Sequence, residues 1–146
     1  QDDAVLIVPF HKEEEKIVVI RQFRVPINSY IYEMPAGLID KGESPQTAIT
    51  RELKEETGLD VIEILKNTVK GQLFLSPGMT DESVTSVFCT CGGTISKAYM
   101  EEDEDIEPIL LSQKEAQELL IKDVKFDIKC YIYLQEFAKS GNEMFK

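Results

Sequence analysis

The chain has 146 residues, of which 27 are acidic and 16 basic, so its formal net charge is −11. This length suits one domain spanning residues 1–146, large enough to bury about two thirds of its unfolded surface without staples. So large an acid surplus excludes nucleic acid and anionic membranes as expected partners, because both need a basic surface. With 42% hydrophobic residues the chain is too apolar for a disordered acidic tail, and we expect a soluble globular domain.

Apolar, β-branched runs at residues 4–10 and 16–23 predict two strands joined by a charged turn. Residues 30–34 predict a further strand, which Pro35 and Gly37 should break. The chain begins with strand pairing.

A helix over residues 45–57 is predicted next. Ser44 is an N-cap residue, Pro45 suits the first helical position, and Gly58 supplies the stop.

The middle of the chain returns to β-structure, interrupted by loop chemistry at residues 76–82 and by an acidic loop at 97–105. Strands are predicted over residues 61–66, 69–75, 83–91 and 106–111. A capping box of Ser112 and Glu115 predicts a helix over 113–121, and Asp127 caps a last helix that runs to residue 140. Strands interleaved with helices predict a mixed α/β domain in which helices cover a sheet.

The three cysteines, Cys89, Cys91 and Cys130, form no CxxC pair and have no metal-like spacing. We expect them to be free, buried thiols of a cytoplasmic protein. The sequence begins at Gln1 with neither an initiating methionine nor a signal peptide, so a preceding segment remains an open alternative.

Three glutamates share one face of the predicted helix 45–57. At 100° per residue, Glu52, Glu55 and Glu56 fall within an arc of about 100°. Like charges at these spacings cost a helix a few tenths of a kcal/mol each, and the C-terminal end of the helix dipole also disfavours them. A solvated surface is one interpretation of this cluster. A divalent cation is the sharper one, because Mg²⁺ draws carboxylates together.

The neighbouring helix positions fit the same interpretation. Ile49 and Leu53 form a narrow apolar stripe that can pack on a sheet, and Arg51 on the other flank can hold the Glu43 carboxylate bidentately.

This stretch resembles the signature of the Nudix hydrolases. Every fixed position of that signature is filled, by Gly37, Glu43, Arg51, Glu52, Leu53, Glu55, Glu56, Gly58 and Leu59. The resemblance implies the Nudix fold, a mixed β-sheet sandwiched between helices (α/β/α) with a loop-helix-loop metal site. It also implies Mg²⁺ or Mn²⁺, two or three ions with substrate, and hydrolysis of a nucleoside diphosphate linked to another group.

The resemblance also implies roles for single residues. Glu52 and Glu56 become metal ligands, Glu55 a further ligand or water holder, and the Ala36 carbonyl another ligand. Arg51 orients this site with Glu43, while Gly37, Leu53, Gly58 and Leu59 shape the loop-helix-loop.

Segments outside the signature resemble the ADP-ribose pyrophosphatase branch. These are RQFRVP at 21–26, YEMPAGLID at 32–40 and LFLSPGMTDE at 73–82, with Pro77 standing 18 residues after Leu59. The substrate-contact candidates are Arg24, Arg21, Glu82, Pro77 and Gly78. Plain surface arginines and a simple tight turn are the structural alternatives.

In that branch the catalytic base is a glutamate in a mobile loop late in the chain. Residues 101–107 hold six acids, and Glu102 best matches the base by its distance from Asp105-Ile106. Glu104 is the next candidate and a possible metal ligand. The resemblance therefore predicts a homodimeric, Mg²⁺-dependent enzyme that converts ADP-ribose to AMP and ribose 5-phosphate. A hydrolase for GDP-mannose or a dinucleotide is the nearest alternative, and the intact signature disfavours a non-catalytic binding module.

Overall fold

A computed structural model describes residues 4–146 and shows three α-helices against a mixed sheet of eight strands. The strands are β1 (Ala4–His11), β2 (Lys16–Arg24), β3 (Ser29–Glu33), β4 (Ala36–Leu38), β5 (Asp60–Ile64), β6 (Lys70–Phe74), β7 (Ser83–Gly92) and β8 (Ile106–Leu111). The helices are α1 (Pro45–Thr57), α2 (Gln113–Leu120) and α3 (Ile128–Ser140). Short 3₁₀ turns cover Val25–Ile27, Lys66–Thr68 and Gly141–Phe145.

The sheet is built around β1 and β7, which run parallel with Ala4 opposite Val84 and His11 opposite Cys91. The main strand order is β3-β2-β1-β7-β5, and the other pairs are antiparallel. Three further strands join this path antiparallel: β4 pairs with β1, β6 with β7 and β8 with β2. The connection after α1 therefore leads to β5, at the opposite end of this order from β3.

Side chains of β1 alternate between two hydrophobic clusters, one on each face of the sheet. Val5 and Ile7 pack with α1, whereas Leu6, Val8 and Phe10 pack with α2 and α3. Helices thus cover both faces, and the predicted α/β/α architecture is confirmed. None of the helices within residues 4–146 is long and apolar enough to cross a membrane.

All three helices begin where the sequence indicated. The Ser44 hydroxyl accepts the Thr47 N–H at 3.1 Å, and both halves of the Ser112/Glu115 capping box are present. Asp127 accepts the backbone N–H groups of the next turn of α3. Such side-chain acceptors satisfy the first N–H groups of a helix, which lack intrahelical partners.

The strand β4 was not predicted, because Pro35 and Gly37 were expected to end β-structure. Pro35 does end β3, but its carbonyl then accepts the Ile7 N–H at 2.8 Å, and Gly37 pairs with Val5. The pairing is made with a strand some thirty residues earlier, so no local pattern announces it.

The three cysteines are free and buried, as expected. Cys89 and Cys91 both belong to the cluster under α1, and Cys130 lies under α3. Burial raises the pKa of each thiol above its usual value.

Candidate active site

Helix α1 carries the candidate site on the flank that faces β4. Ile49 and Leu53 are fully buried against the sheet and fix the rotation of the helix. Gly58 ends the helix with a positive φ of 78°, and a Cβ there would lie 2.6 Å from the Ser96 backbone nitrogen. The glutamates are therefore held on a helix whose rotation and end are both determined by packing.

Arg51 connects the helix to the loop before it. Its Nε and Nη2 donate to the two Glu43 carboxylate oxygens at 2.8 and 2.9 Å, which is the bidentate contact expected from the sequence. Nη2 also donates to the Leu38 carbonyl at 3.0 Å, and Nη1 donates to Glu52 at 2.8 Å. The hydrogen bond from Arg51 lowers the pKa of Glu43 to about 2. One guanidinium thus orients both the loop and a site glutamate.

Glu56 is the most deeply buried carboxylate of the site. Its side chain accepts the Ala36 N–H at 3.2 Å, and the residue is only 6% exposed. Burial, followed by the nearby Glu52, raises the pKa of Glu56 to about 9. Burial also raises the pKa of Glu52, against the opposing effect of Arg51. Two carboxylates taken out of water side by side need more positive charge than Arg51 supplies.

Gly37 leaves room for one of these carboxylates. A Cβ built on Gly37 would collide with the carboxyl carbon and both oxygens of Glu52. The φ of Gly37 is not positive, so the glycine is required by space and not by backbone conformation. The close approach of β4 to α1 depends on the missing side chain.

The donor set fits a hard divalent cation. Glu52, Glu55 and Glu56 supply carboxylate oxygens, which are the ligands that Mg²⁺ and Mn²⁺ prefer. In the described range 4–146 no three acidic, cysteine or histidine side chains converge on one point. Glu52 and Glu55 instead both face Nη1 of Arg51, at 2.8 and 3.4 Å.

The acidic loop brings one further carboxylate to this site. Glu104 is partly buried. Burial is the main cause of the raised pKa of Glu52 and of Glu56, and the negative charge of Glu104 raises both further. Its side chain accepts the Glu101 N–H at 2.9 Å, and its own N–H bonds to the Glu101 carbonyl at 3.1 Å. Glu102 is an exposed residue in the turn of the same loop. The structure therefore places Glu104 within electrostatic reach of the buried Glu56 and the partly buried Glu52.

The two arginines of the RQFRVP segment lie in different surroundings. Arg24 donates to both carboxylate oxygens of Glu33, at 2.7 and 2.9 Å, and its side chain is half exposed. Arg21 lies over the Tyr30 ring at 4.2 Å and 3.9 Å from Glu107. Each of the two guanidinium groups therefore has an acidic neighbour, Glu33 for Arg24 and Glu107 for Arg21.

The segment around Pro77 is an exposed loop closed by its own backbone. The Leu75 N–H bonds to the Glu82 carbonyl at 3.2 Å, and the N–H groups of Met79 and Thr80 both bond to the Ser76 carbonyl. Gly78 has open space where a Cβ would lie. Packing within this exposed loop does not explain why these residue types occur there. The substrate candidates on it remain Pro77, Gly78 and Glu82.

The signature from Gly37 to Leu59 lies within a longer match to a known family. The chain matches the model of the NUDIX domain over residues 1–134. It belongs to the Nudix hydrolase family.

Within this Nudix family, the relatives include pyrophosphatases for nucleotide sugars. An ADP-ribose pyrophosphatase of Bacillus subtilis (strain 168) is 34% identical over 134 residues, which span 90% of this chain and 69% of that protein. A GDP-mannose pyrophosphatase of Enterobacter sp. (strain 638) is 31% identical over 153 residues, spanning 95% of this chain and 75% of that protein. The crystal structure of an ADP compounds hydrolase matches with a TM-score of 0.69 and 25% identity, over 93% of this chain and 72% of that one.

Sequence reasoning missed Glu33 as part of the Nudix site. Its side chain is 14% exposed, holds Arg24, and contributes to the raised pKa of Glu56. In the register of β2 and β3, Glu33 lies opposite Ile20. Ile20 shares a face of β2 with Val18, and Val18 packs with α1, so Glu33 lies on the α1 side of the sheet. Strand alternation, applied to a known register, is the signal that identifies Glu33.

Proposed function

We propose that this Nudix hydrolase cleaves the pyrophosphate bond of ADP-ribose in the presence of Mg²⁺ or Mn²⁺, giving AMP and ribose 5-phosphate. The observation that carries the chemistry is the buried Glu56 beside the partly buried Glu52, because burial disfavours the charged form of both and the 2.8 Å contact of Arg51 is made with Glu52. Cations held there give a protein of net charge −11 a means of binding a polyanionic nucleotide. The choice of ADP-ribose is supported by the segments outside the signature and by the similarity to an ADP-ribose pyrophosphatase.

In this proposal Glu52 and Glu56 would hold the ion, with Glu55 and the Ala36 carbonyl as further ligands. Glu104 would join them as a ligand if Glu102 is the base. When bound, two or three such ions supply positive charge to the pyrophosphate oxygens and lower the pKa of water. Arg51 orients Glu52 through the 2.8 Å contact, and its contact with Glu43 holds Arg51 in place.

The loop glutamates supply the base. Water attacks one phosphorus, the bond from that phosphorus to the bridging oxygen breaks, and the water proton passes to a loop carboxylate. Glu102 is the base that the resemblance favours, whereas the electrostatic proximity of Glu104 to the helix glutamates favours Glu104. Arg24 is the proposed contact for the diphosphate or the terminal ribose, because a guanidinium matches phosphate oxygens bidentately.

A GDP-mannose hydrolase is the second candidate, since a relative of that name aligns over 95% of this chain. The two are separated by measuring turnover of ADP-ribose and GDP-mannose with Mg²⁺ and with excess chelator. We expect the higher kcat/KM with ADP-ribose and no turnover with chelator. A higher kcat/KM with GDP-mannose would favour the second candidate over the first. Turnover unaffected by chelator would contradict the metal role.

Isotope labelling extends this assay to the position of attack. The reaction is run in ¹⁸O water, and the products AMP and ribose 5-phosphate are separated by mass spectrometry. Label in only one of the two phosphates identifies the phosphorus that water attacks. Label in neither product would contradict hydrolysis by direct water attack.

A cytoplasmic homodimer is the remaining part of the proposal. Its support is the set of free, buried thiols and the exposed apolar side chains on β6 and the next loop, where Phe74 is 54% and Met79 87% exposed. Light scattering after gel filtration tests the dimer, and a monomer mass at micromolar concentration would contradict it.

A further inference from the structure

A small cluster on the other face of the sheet includes two side chains, Tyr30 and Asp105, that have none of the roles given above. The Tyr30 hydroxyl donates to Oδ2 of Asp105 at 2.8 Å. The Arg21 guanidinium covers the Tyr30 ring at 4.2 Å from its centroid, and Nη1 of Arg21 is 3.9 Å from Glu107. Nothing in the proposed chemistry uses the Tyr30 hydroxyl or the Asp105 carboxylate.

The strand register explains how these side chains meet. β2 lies between β3 and β8, with Arg21 opposite both Tyr32 and Glu107, and with Phe23 opposite Tyr30. Alternate residues of a strand share a face, so Arg21 lies on the same side as Ile17 and Val19, which pack with α2 and α3. The contact from Tyr30 to the residue before β8 therefore crosses two strand spacings, about 9–10 Å.

The position of Asp105 gives this contact its meaning. Asp105 directly follows Glu104 in the chain. Glu104 is the loop glutamate that lies within electrostatic reach of Glu52 and Glu56 on α1. Asp105 is bound on the opposite side of the sheet, so the two consecutive side chains point in opposite directions. Fixing Asp105 thus fixes the backbone from which Glu104 projects.

We propose that Tyr30 is a positioning residue for hydrolysis, because its hydrogen bond to Asp105 holds Glu104 at the helix glutamates. The proposal rests on the proposed function for its catalytic consequence, whereas the tether itself is a property of the loop. Arg21 supports it by packing on the ring and by pairing with Glu107, the second residue of β8.

The kinetic test removes either partner of the hydrogen bond. In Tyr30→Phe and in Asp105→Ala we expect kcat for ADP-ribose at saturating Mg²⁺ to fall by about tenfold, the effect of one charge-assisted hydrogen bond. KM should change by less than about twofold, because neither group contacts substrate. The double variant should be no slower than the slower single one, since both remove the same contact.

Two matched controls accompany these variants. Tyr131→Phe removes a tyrosine hydroxyl on α3 that accepts from Gln135 at 3.3 Å, and Asp103→Ala removes a carboxylate from the same acidic loop. Both controls should keep the wild-type kcat. A loss in the controls equal to that in Tyr30→Phe would overturn the assignment to this one contact.

Hydrogen exchange of the substrate-free protein tests the tether without catalysis. We expect Tyr30→Phe to speed exchange of the amides at 101–105 and to leave α1 and the melting temperature unchanged. Unchanged exchange together with unchanged kcat would overturn the proposal. So would a lowered melting temperature with faster exchange across the whole sheet, which indicates a merely structural role. If the wild-type protein does not hydrolyse ADP-ribose, the proposed function fails, yet faster loop exchange in Tyr30→Phe would still support the tether.

Discussion

Gly37 and Glu52 are complementary in space: the Glu52 carboxylate occupies the volume that a Cβ at Gly37 would need. The first and the central positions of the Nudix signature are thereby linked by a direct steric relationship. A side chain at the first position displaces β4 or the carboxylate, and either change disturbs the site.

Gly37→Ala tests this relationship. We expect kcat/KM to fall by about 100-fold, the cost of misplacing a catalytic group by about 1 Å. Turnover and the melting temperature are measured together. The control is Gly92→Ala in β7, where a Cβ would meet only the far end of the exposed Ile62 side chain at 3.1 Å. Wild-type activity in Gly37→Ala would show that the site tolerates the displacement.

Glu43 gives a pH dependence with a defined sign. Hydrogen bonding to Arg51 lowers the pKa of Glu43 to about 2 from its usual 4.5, so the folded protein binds this proton less readily than the unfolded chain. The stabilisation is therefore present above pH 4.5 and is lost as the pH falls toward 2. We expect Glu43→Gln to be less stable than wild type at pH 7 and equal to it near pH 2.

The measurement is urea unfolding of both proteins across this pH range. The control is Glu13→Gln in the exposed turn between β1 and β2. A stability difference between wild type and Glu43→Gln that stays constant down to pH 2 would contradict the role of the Arg51 contact.

The identity of the base is tested by replacing the loop glutamates one at a time. We expect Glu104→Gln to lower kcat by about 100-fold or more, in the usual range for general base catalysis, because Glu104 lies near Glu52 and Glu56. Glu102→Gln is the direct comparison, since the family resemblance favours Glu102. If Glu102→Gln loses more activity than Glu104→Gln, the resemblance identifies the base better than the electrostatics. Two variants with wild-type rates would exclude both.

Arg24 should affect binding more than chemistry. Arg24→Lys keeps the charge but loses the planar fork that holds Glu33 at 2.7 and 2.9 Å and that suits a phosphate. We expect KM for ADP-ribose to rise about tenfold with kcat within about threefold of wild type, as for loss of uniform binding. Initial rates over a range of substrate concentrations give both constants. An unchanged KM would remove Arg24 from the substrate site.

The helix and the position of its glutamates could be predicted because their signals are local. Ser44 and Gly58 mark the ends of α1, and the 3.6-residue period places Glu52, Glu55 and Glu56 together without knowledge of the rest of the fold. The contact between Arg51 and Glu43 spans eight residues and was within reach of the same reasoning.

The parts that escaped prediction depend on distant pairing. β4 exists because it pairs with β1, and Glu33 joins the site only through the register of β2 and β3. The approach of Glu104 to α1 and the bond between Tyr30 and Asp105 likewise need the position of β8 beside β2. The family spacing ranked Glu102 ahead of Glu104, whereas the approach of Glu104 to α1 depends on the register of β8, which the folded sheet sets.

Glu56 carries the central claim, because it is the buried carboxylate that we propose as a ligand of the cation. The measurement is AMP formation from ADP-ribose by wild type and by Glu56→Gln across a Mg²⁺ titration, with thermal unfolding of the same samples and Glu63→Gln in β5 as the control. We expect wild type and the control to require Mg²⁺ and to gain about 2.7 kcal/mol of stability at 100 times the Mg²⁺ dissociation constant. Glu56→Gln should lose both the turnover and the Mg²⁺-dependent stabilisation while folding at least as stably as metal-free wild type. Turnover and Mg²⁺ stabilisation that persist unchanged in Glu56→Gln would contradict the account.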